Sequence, residues 1–333
     1  MNEPTHPTHP YFDEALGVWV LSRYRDVMAA LRDPELWPVA ARGEDHQVTR
    51  DEVGRLKLRA PVQDALAPHL EALRARMEPL TDGLLNALRE SGTVDLLTGY
   101  ALPLCRELAL LVVQAPPEHS DLLVRLSSEV FAGTGSPDDS PLRPGAATAT
   151  AELERLLADG PMPMGEPTFV AVSQTTPRLL ANIWAALLDH PAEAARLCAE
   201  PALWPAAVEE LLRYAGIVRC IWRQARSPVQ YEGATLSAGQ KVLLMLASAN
   251  RDPEQFADPN RLDAGRRVPV QFGLGAGRNS CAGGALVRAA IEISTRALLA
   301  RYPGMHAYGS PRIQAGTAYA FPAALPVVLE PGT

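Results

Sequence analysis

The run FGLGAGRNSCAGG, Phe272 to Gly284, decides how this chain is read: it follows a short apolar stretch and leads directly into an amphipathic helical pattern, Cys281 to Arg301. A cysteine at a helix N-terminus meets unpaired backbone N–H groups and the positive end of the macrodipole. Both stabilise a thiolate and moderate its donation to a metal. Gly275, Gly277 and Gly283 allow the backbone to approach a flat ligand where a side chain would collide. Read alone, the run also fits a cysteine that is merely packed. Gly273, Gly275 and Gly277 loosely imitate a dinucleotide loop, but no βαβ unit surrounds them and no acidic residue follows on a strand tip. A cysteine nucleophile would want a histidine partner, and none of the seven histidines stands in a comparably structured context.

Outward from this run the chain reads as mainly α with a small β region. Apolar residues recur at helical spacing in Val62, Leu66, Leu70, Leu73 and Met77. The same signal predicts helices over Val94 to Gln114, Asp121 to Phe131, Thr148 to Ala158, Thr168 to Asp189, Pro205 to Tyr214 and Cys281 to Arg301. Between Ile217 and Val270 the pattern changes to short β-rich runs such as Lys241 to Leu246, punctuated by Glu232-Gly233, Ala238-Gly239 and Asp252-Pro253. A small sheet and an irregular loop are expected there. Gly133 to Gly145, rich in Gly, Ser, Asp and Pro, is the best linker by composition and reads more naturally as a surface loop within a single domain spanning 1–333.

Composition narrows the function. With 333 residues, 47% hydrophobic and 21% charged, the chain can bury a large core, and its formal charge of -7 with no basic run excludes an electrostatic footprint for nucleic acid. The opening MNEPTHPTHP has no basic start followed by an apolar stretch, so residues 1–10 are expected to be a flexible arm and not a signal or anchor. The longest apolar run, Leu108 to Val113, is far short of the roughly 20 residues that span a bilayer. Cys105, Cys198, Cys220 and Cys281 form no CxxC pair, which argues against structural zinc or a disulfide framework and favours a cytoplasmic setting.

Four signals, in order along the chain, together resemble the cytochrome P450 superfamily in its soluble bacterial form. LGAGRNSCAGG is similar to the haem loop, AVEELLRY carries an ExxR pattern as Glu210 and Arg213, SANRDPEQFADPNRLDAGR is similar to the segment after the β region, and WRQA and LKLRAP carry Arg223 and Arg59. The resemblance implies the P450 fold and haem b (iron protoporphyrin IX) with Cys281 as the axial, metal-binding ligand. Leu274, Gly275, Gly277, Asn279 and Gly283 would shape the haem loop. Arg59, Arg223 and Arg55, which would share the helical face of Arg59, would neutralise the propionates. Glu210 and Arg213 would form a structural network with Arg266. The activity implied is a monooxygenase on a small, natural-product or carrier-bound substrate, with electrons from a ferredoxin-type partner.

The departures from the pattern fall on the chemistry. Leu274 stands where a phenylalanine is common and Asn279 where a basic residue is common; Asn279 can hydrogen-bond a propionate without neutralising it, which leaves that charge to Arg278, Arg59 and Arg223. In AVSQTTP, Ala171 to Pro177, Val172 replaces a glycine that opens a groove and Gln174 replaces a carboxylate. A neutral amide cannot lose and regain a proton near neutral pH, so Gln174 is expected to order water beside a catalytic Thr175. Pro177 lacks an N–H, frees the carbonyl of Ser173 and favours a kink into which Thr175 can bond. The shortened stretch from Ala115 to Pro167 implies a reduced substrate lid. These features keep two other readings open: a haem-thiolate enzyme driven by peroxide or catalysing coupling, rearrangement or dehydration, and a non-catalytic haem-binding protein.

Overall fold

The chain's apolar spacing folds as helices around a long central one, with short strands in four small sheets among the described residues. The computed structural model describes residues 9–38, 59–88, 92–133, 140, 142–315 and 318–330. The stripe Val62 to Met77 becomes the helices Arg59–Leu66 and Leu70–Ala87, joined by a tight turn at Ala67–His69 where Pro68 breaks the first. Leu73, Met77, Thr81 and Leu85 form the buried face of the second helix, which packs on the last helix, Gly284–Arg301.

The expected helix from Val94 is corrected at its start. Val94 lies in the strand Thr93–Asp95, pairing with Val327 of Pro326–Val328, and the helix proper is Leu102–Val113 after a widened turn at Leu97–Ala101. Asp95 fixes the change of direction, its Oδ1 accepting the N–H groups of Leu97 and Leu325 at 3.0 and 2.7 Å. The last helix begins at Gly284, so Cys281 precedes it by three residues.

Between Ala115 and Pro167 stand two helices, Ser120–Gly133 and Leu142–Leu157, of 14 and 16 residues. They pack on each other so closely at one end that a Cβ on Gly133 would overlap that of Ala146. Ser120–Gly133 also rests on the central helix, so the short stretch still covers it.

The main sheet takes its strands in the order Tyr11–Asp13, Val18–Leu21, Lys241–Leu244, Ile221–Ala225 and Leu36–Pro38. Val18–Leu21 runs parallel to Lys241–Leu244, and the other pairings are antiparallel. This joins the N-terminal segment to the β-rich region between Ile217 and Val270. Helix Tyr24–Arg32 closes one face with Val27, Ala30 and Leu31.

Glu210 and Arg213 sit inside helix Trp204–Ala215, both side chains fully buried. Arg213 Nε and Nη2 donate to the two oxygens of Glu210 at 2.6 and 2.8 Å, and Nη1 donates to the carbonyls of Asn250 and Pro259 at 2.7 and 2.9 Å. Arg266 Nε donates to Glu210 Oε1 at 3.0 Å, and its Nη groups donate to the carbonyls of Ala257, Asp258 and Arg261. The irregular loop therefore has its backbone acceptors satisfied by two guanidinium groups held on one carboxylate.

Removing one partner strands buried charge, which costs about 3–5 kcal/mol. Arg213→Met is therefore expected to lower the urea midpoint of unfolding sharply, whereas Arg155→Ala, which breaks the exposed pair with Glu152, is expected to leave it unchanged.

Candidate active site around Cys281

The cysteine loop is a closed turn with pinned entry. Leu274 O accepts the N–H of Cys281 at 2.8 Å, Phe272 O accepts that of Gly275 at 2.9 Å, and Gly277 O accepts that of Ser280 at 3.2 Å. Gly275 and Gly277 both take φ of +68°, the left-handed conformation that disfavours other residues. At Gly277 a second constraint applies: a Cβ would stand 2.5 Å from the carbonyl oxygen of Leu31, because the turn presses on the end of helix Tyr24–Arg32. Gly283 differs, with φ of −83° and nothing within 4 Å of a Cβ built on it.

Two amide side chains hold the loop to the helix of Glu210. Asn250 Oδ1 accepts the N–H of Phe272 at 2.9 Å, while its backbone carbonyl is the one Arg213 grips. Gln271 donates from Nε2 to Glu209 at 3.2 Å and accepts the N–H of Gly273 through Oε1. Glu209 in turn takes the Nε and Nη2 groups of Arg288 from the last helix. Burial alone would raise the Glu209 carboxyl; the hydrogen bonds from Arg288 and Gln271 outweigh it and hold the group below its ordinary range. Gly273 and Gly216 meet where the loop crosses the helix end, and a Cβ on either would run into the carbonyl of Leu212. Spacing in the sequence did not mark Asn250, Gln271, Glu209, Arg288 or Gly216, and it noted Gly273 only in a loose imitation of a dinucleotide loop; their contacts show what they do.

The other expected ligand-side residues are distributed as follows. Arg223 is buried in the strand Ile221–Ala225, its Nη1 donating to the carbonyl of Trp222 at 2.8 Å. Arg59 opens the helix Arg59–Leu66, its side chain being outside the described residues, as is all of Arg55. Arg278 donates through Nη2 to the carbonyls of Pro34 and Leu36 at 3.0 and 3.1 Å, so that nitrogen locks the loop onto the segment after helix Tyr24–Arg32. Asn279 Oδ1 is buried without a hydrogen-bond partner. Leu274 packs at the edge of the core that contains Leu211 and Leu212.

The central helix runs from Gly165–Val170 through a π-helical turn at Ala171–Thr175 into Thr176–Asp189. Pro177 accounts for the turn: with no N–H for the carbonyl of Ser173, the ladder slips by one residue, and Thr176 gives both its N–H and its hydroxyl to Ala171 O, the latter at 3.1 Å. The hydroxyl that bonds back onto the helix at this turn is that of Thr176, on the carbonyl of Ala171, and not that of Thr175. Val172 is buried in the core with Phe169 and Leu286. Gln174 is buried too, and both ends of its amide are committed. Nε2 donates to Ser127 and Ser128 at 2.9 and 3.2 Å, and Oε1 accepts from Arg178 at 3.2 Å. The expectation that Gln174 orders water is therefore replaced: it fastens the central helix to Ser120–Gly133. Between Ala171 and Asn182 the positions that are not buried are Ala171, Thr175, Arg178 and Asn182, one stripe along the helix. The Thr175 hydroxyl makes no protein hydrogen bond among the described residues.

Comparison with known proteins settles the family. A cytochrome P450 family model matches residues 198–303. Cytochrome P450-SU2 of Streptomyces griseolus is 32% identical over 325 residues, covering 86% of this chain and 81% of that one. The chain belongs to the cytochrome P450 family. Cytochrome P450 monooxygenase PikC of Streptomyces venezuelae is 30% identical over 335 residues, covering 86% of this P450 and 79% of PikC. Among solved structures, P450BioI in complex with an acyl carrier protein ligated with hexadec-9Z-enoic acid superposes with a TM-score of 0.82 at 21% identity, covering 96% and 95% of the two chains. The chain is thus a P450-type oxidoreductase, and the family implies a haem iron cofactor. No helix among the described residues is long and apolar enough to cross a membrane.

The residues present fit that group. Among the described residues no three His, Cys, Asp or Glu side chains gather to hold a bare metal ion, and Cys281 is accessible. A single thiolate suits an iron whose in-plane ligands come from a macrocycle. The unpartnered amide end of Asn279 can turn its N–H toward a propionate, since the two ends exchange by a flip.

The glycines of the loop are expected to separate on substitution. Gly277→Ala combines backbone strain with a collision and should cost on the order of 1–3 kcal/mol, seen as a lower melting temperature of the apoprotein. Gly283→Ala should leave that temperature unchanged.

Proposed function

We propose that this P450 is a haem-thiolate monooxygenase of a small, largely apolar natural product, with haem b held by Cys281. The observation that carries the reading is the accessible Cys281 at the end of a loop whose entry is fixed from helix Trp204–Ala215 by Asn250 and Gln271. Bound there, haem would supply oxidation by dioxygen or peroxide at its iron, with the thiolate favouring O–O cleavage.

The chain's own residues set the surroundings. Arg223 and Asn279, with Arg59 and Arg55, would hold the propionates. Leu274, Gly275, Gly277 and Gly283 would line the thiolate side. Thr175 Oγ1 would donate one hydrogen bond toward the substrate side and accept another from water, keeping its own proton. Gln174 acts as a positioning residue, because it fixes the stripe that presents Thr175. A ferredoxin-type protein would bring the electrons and the setting would be cytoplasmic. A carrier-bound substrate is supported by the neighbouring structure that contains an acyl carrier protein.

A second reading has its own support. The accessible stripe offers Ala171, Thr175, Arg178 and Asn182 and no carboxylate, so proton delivery lacks a carboxylic acid there among the described residues. A peroxide-driven oxidation, or a rearrangement or dehydration, makes a smaller demand on such a relay.

The reduced carbon monoxide difference spectrum is expected to show the red-shifted Soret band of thiolate ligation, and Cys281→Ala is expected to abolish it. A band that persists in the variant rules out Cys281 as ligand. Product formation with a ferredoxin system and dioxygen supports the first reading; product formed with peroxide, or without any oxidant, supports the second.

A further inference from the structure

Arg178 is half-buried on the accessible stripe of the central helix, three residues beyond Thr175 and on the same face. Its guanidinium lies 4.1 Å from the ring centre of Phe131, at the end of helix Ser120–Gly133, and 5.5 Å from that of Phe321, in the strand Ala320–Pro322. Tyr319 adds a third ring, 6.5 Å from Phe131. Among the described residues only Nη1 is engaged in hydrogen bonds, donating to the carbonyl of Gln174 at 2.6 Å and to its Oε1 at 3.2 Å. No carboxylate meets the group among the described residues, and burial pushes the guanidinium down to about 10. A desolvated cation with neutral neighbours is costly unless an anion completes it.

The geometry also states which anion. Nε and Nη2 form the side of a guanidinium that presents two parallel N–H groups. Elsewhere in this molecule that edge takes a carboxylate: Arg213 grips Glu210 with it at 2.6 and 2.8 Å, and Arg288 grips Glu209 in the same way. On Arg178 the edge is free, and Gln174 holds the opposite nitrogen so that the fork keeps its aim. Phe131 and Phe321 set aromatic surface beside the guanidinium, and Tyr319 extends it from Phe131.

We propose that Arg178 is the specificity-determining anchor of a substrate carboxylate, gripped through Nε and Nη2, with the apolar body of the acid lying between the aromatic walls and the stripe that carries Thr175. This deepens the monooxygenase reading by naming the substrate class, a small apolar carboxylic acid. The recognition itself does not depend on the oxidant.

The test uses the haem-loaded protein with two probe acids, decanoate and 4-butylbenzoate, and their primary amides, which keep the shape and lose the charge. Calorimetric titration is expected to show each acid binding at least about tenfold more tightly than its amide, a charge-assisted pair being worth more than a neutral one. Arg178→Gln should bring acid and amide to equal affinity, and Arg178→Lys, which keeps the charge and loses the fork, should retain part of the preference. Equal affinities in the unaltered protein, no saturable binding of either acid, or an undiminished preference in Arg178→Gln would overturn the assignment. If Arg178→Gln does not fold, the acid–amide comparison in the unaltered protein and in Arg178→Lys decides alone. The carbon monoxide spectrum of the same samples separates the two readings. A thiolate band without acid preference overturns the anchor only; acid preference without the band overturns the haem-thiolate reading only.

Discussion

One buried carboxylate organises the irregular loop that leads toward Cys281. Glu210 carries a single negative charge and receives two guanidinium groups, from Arg213 and Arg266, together with the N–H of Asp263 at 3.1 Å. The surplus positive charge is spread over the carbonyl oxygens of Asn250, Ala257, Asp258, Pro259 and Arg261. Those carbonyls belong to a loop without regular structure, which could not otherwise satisfy its backbone away from water. Once the loop is fixed, Asn250 is fixed, and with it the N–H of Phe272 and the entry to the cysteine turn. The electrostatics of one helix thus set the position of a thiol 71 residues further along the chain, by the numbering of Glu210 and Cys281.

Much of this was readable before any coordinates, because it rests on features that leave a local signature. A cysteine after clustered glycines, an ExxR pair on a helix face and the segment ending at Arg266 are each short and ordered along the chain. The residues that escaped notice have no such signature. Asn250 and Gln271 act through one amide each, from loop positions where Asn and Gln are unremarkable on composition. Glu209 and Arg288 are 79 residues apart. Val94 was drawn into a helix because apolar spacing over a few residues cannot distinguish a three-residue strand from a helical turn, and its pairing with Val327 is visible only in three dimensions.

The central helix shows the same division. Pro177 announces a defect, and the π-helical turn at Ala171–Thr175 is that defect. Which hydroxyl fills it depends on the direction each side chain takes after the slip, a matter of one residue in phase, and phase is what the sequence leaves open. Gln174, in the place of a carboxylate, takes on a different task altogether. Two serines of a covering helix and one arginine use its amide completely, so a position associated with proton traffic has become a bolt.

The contact between Gly277 and Leu31 bears on how the protein is made. Helix Tyr24–Arg32 is synthesised well before the turn that closes on its end. Arg278, reaching the carbonyls of Pro34 and Leu36, spans more than two hundred residues of chain. Contacts of such separation repay their loop-closure entropy only after the intervening elements have condensed. The cysteine turn therefore closes on the end of helix Tyr24–Arg32 only after the elements between them have condensed, so a contact of backbone on backbone is made late in folding by two segments that each form locally.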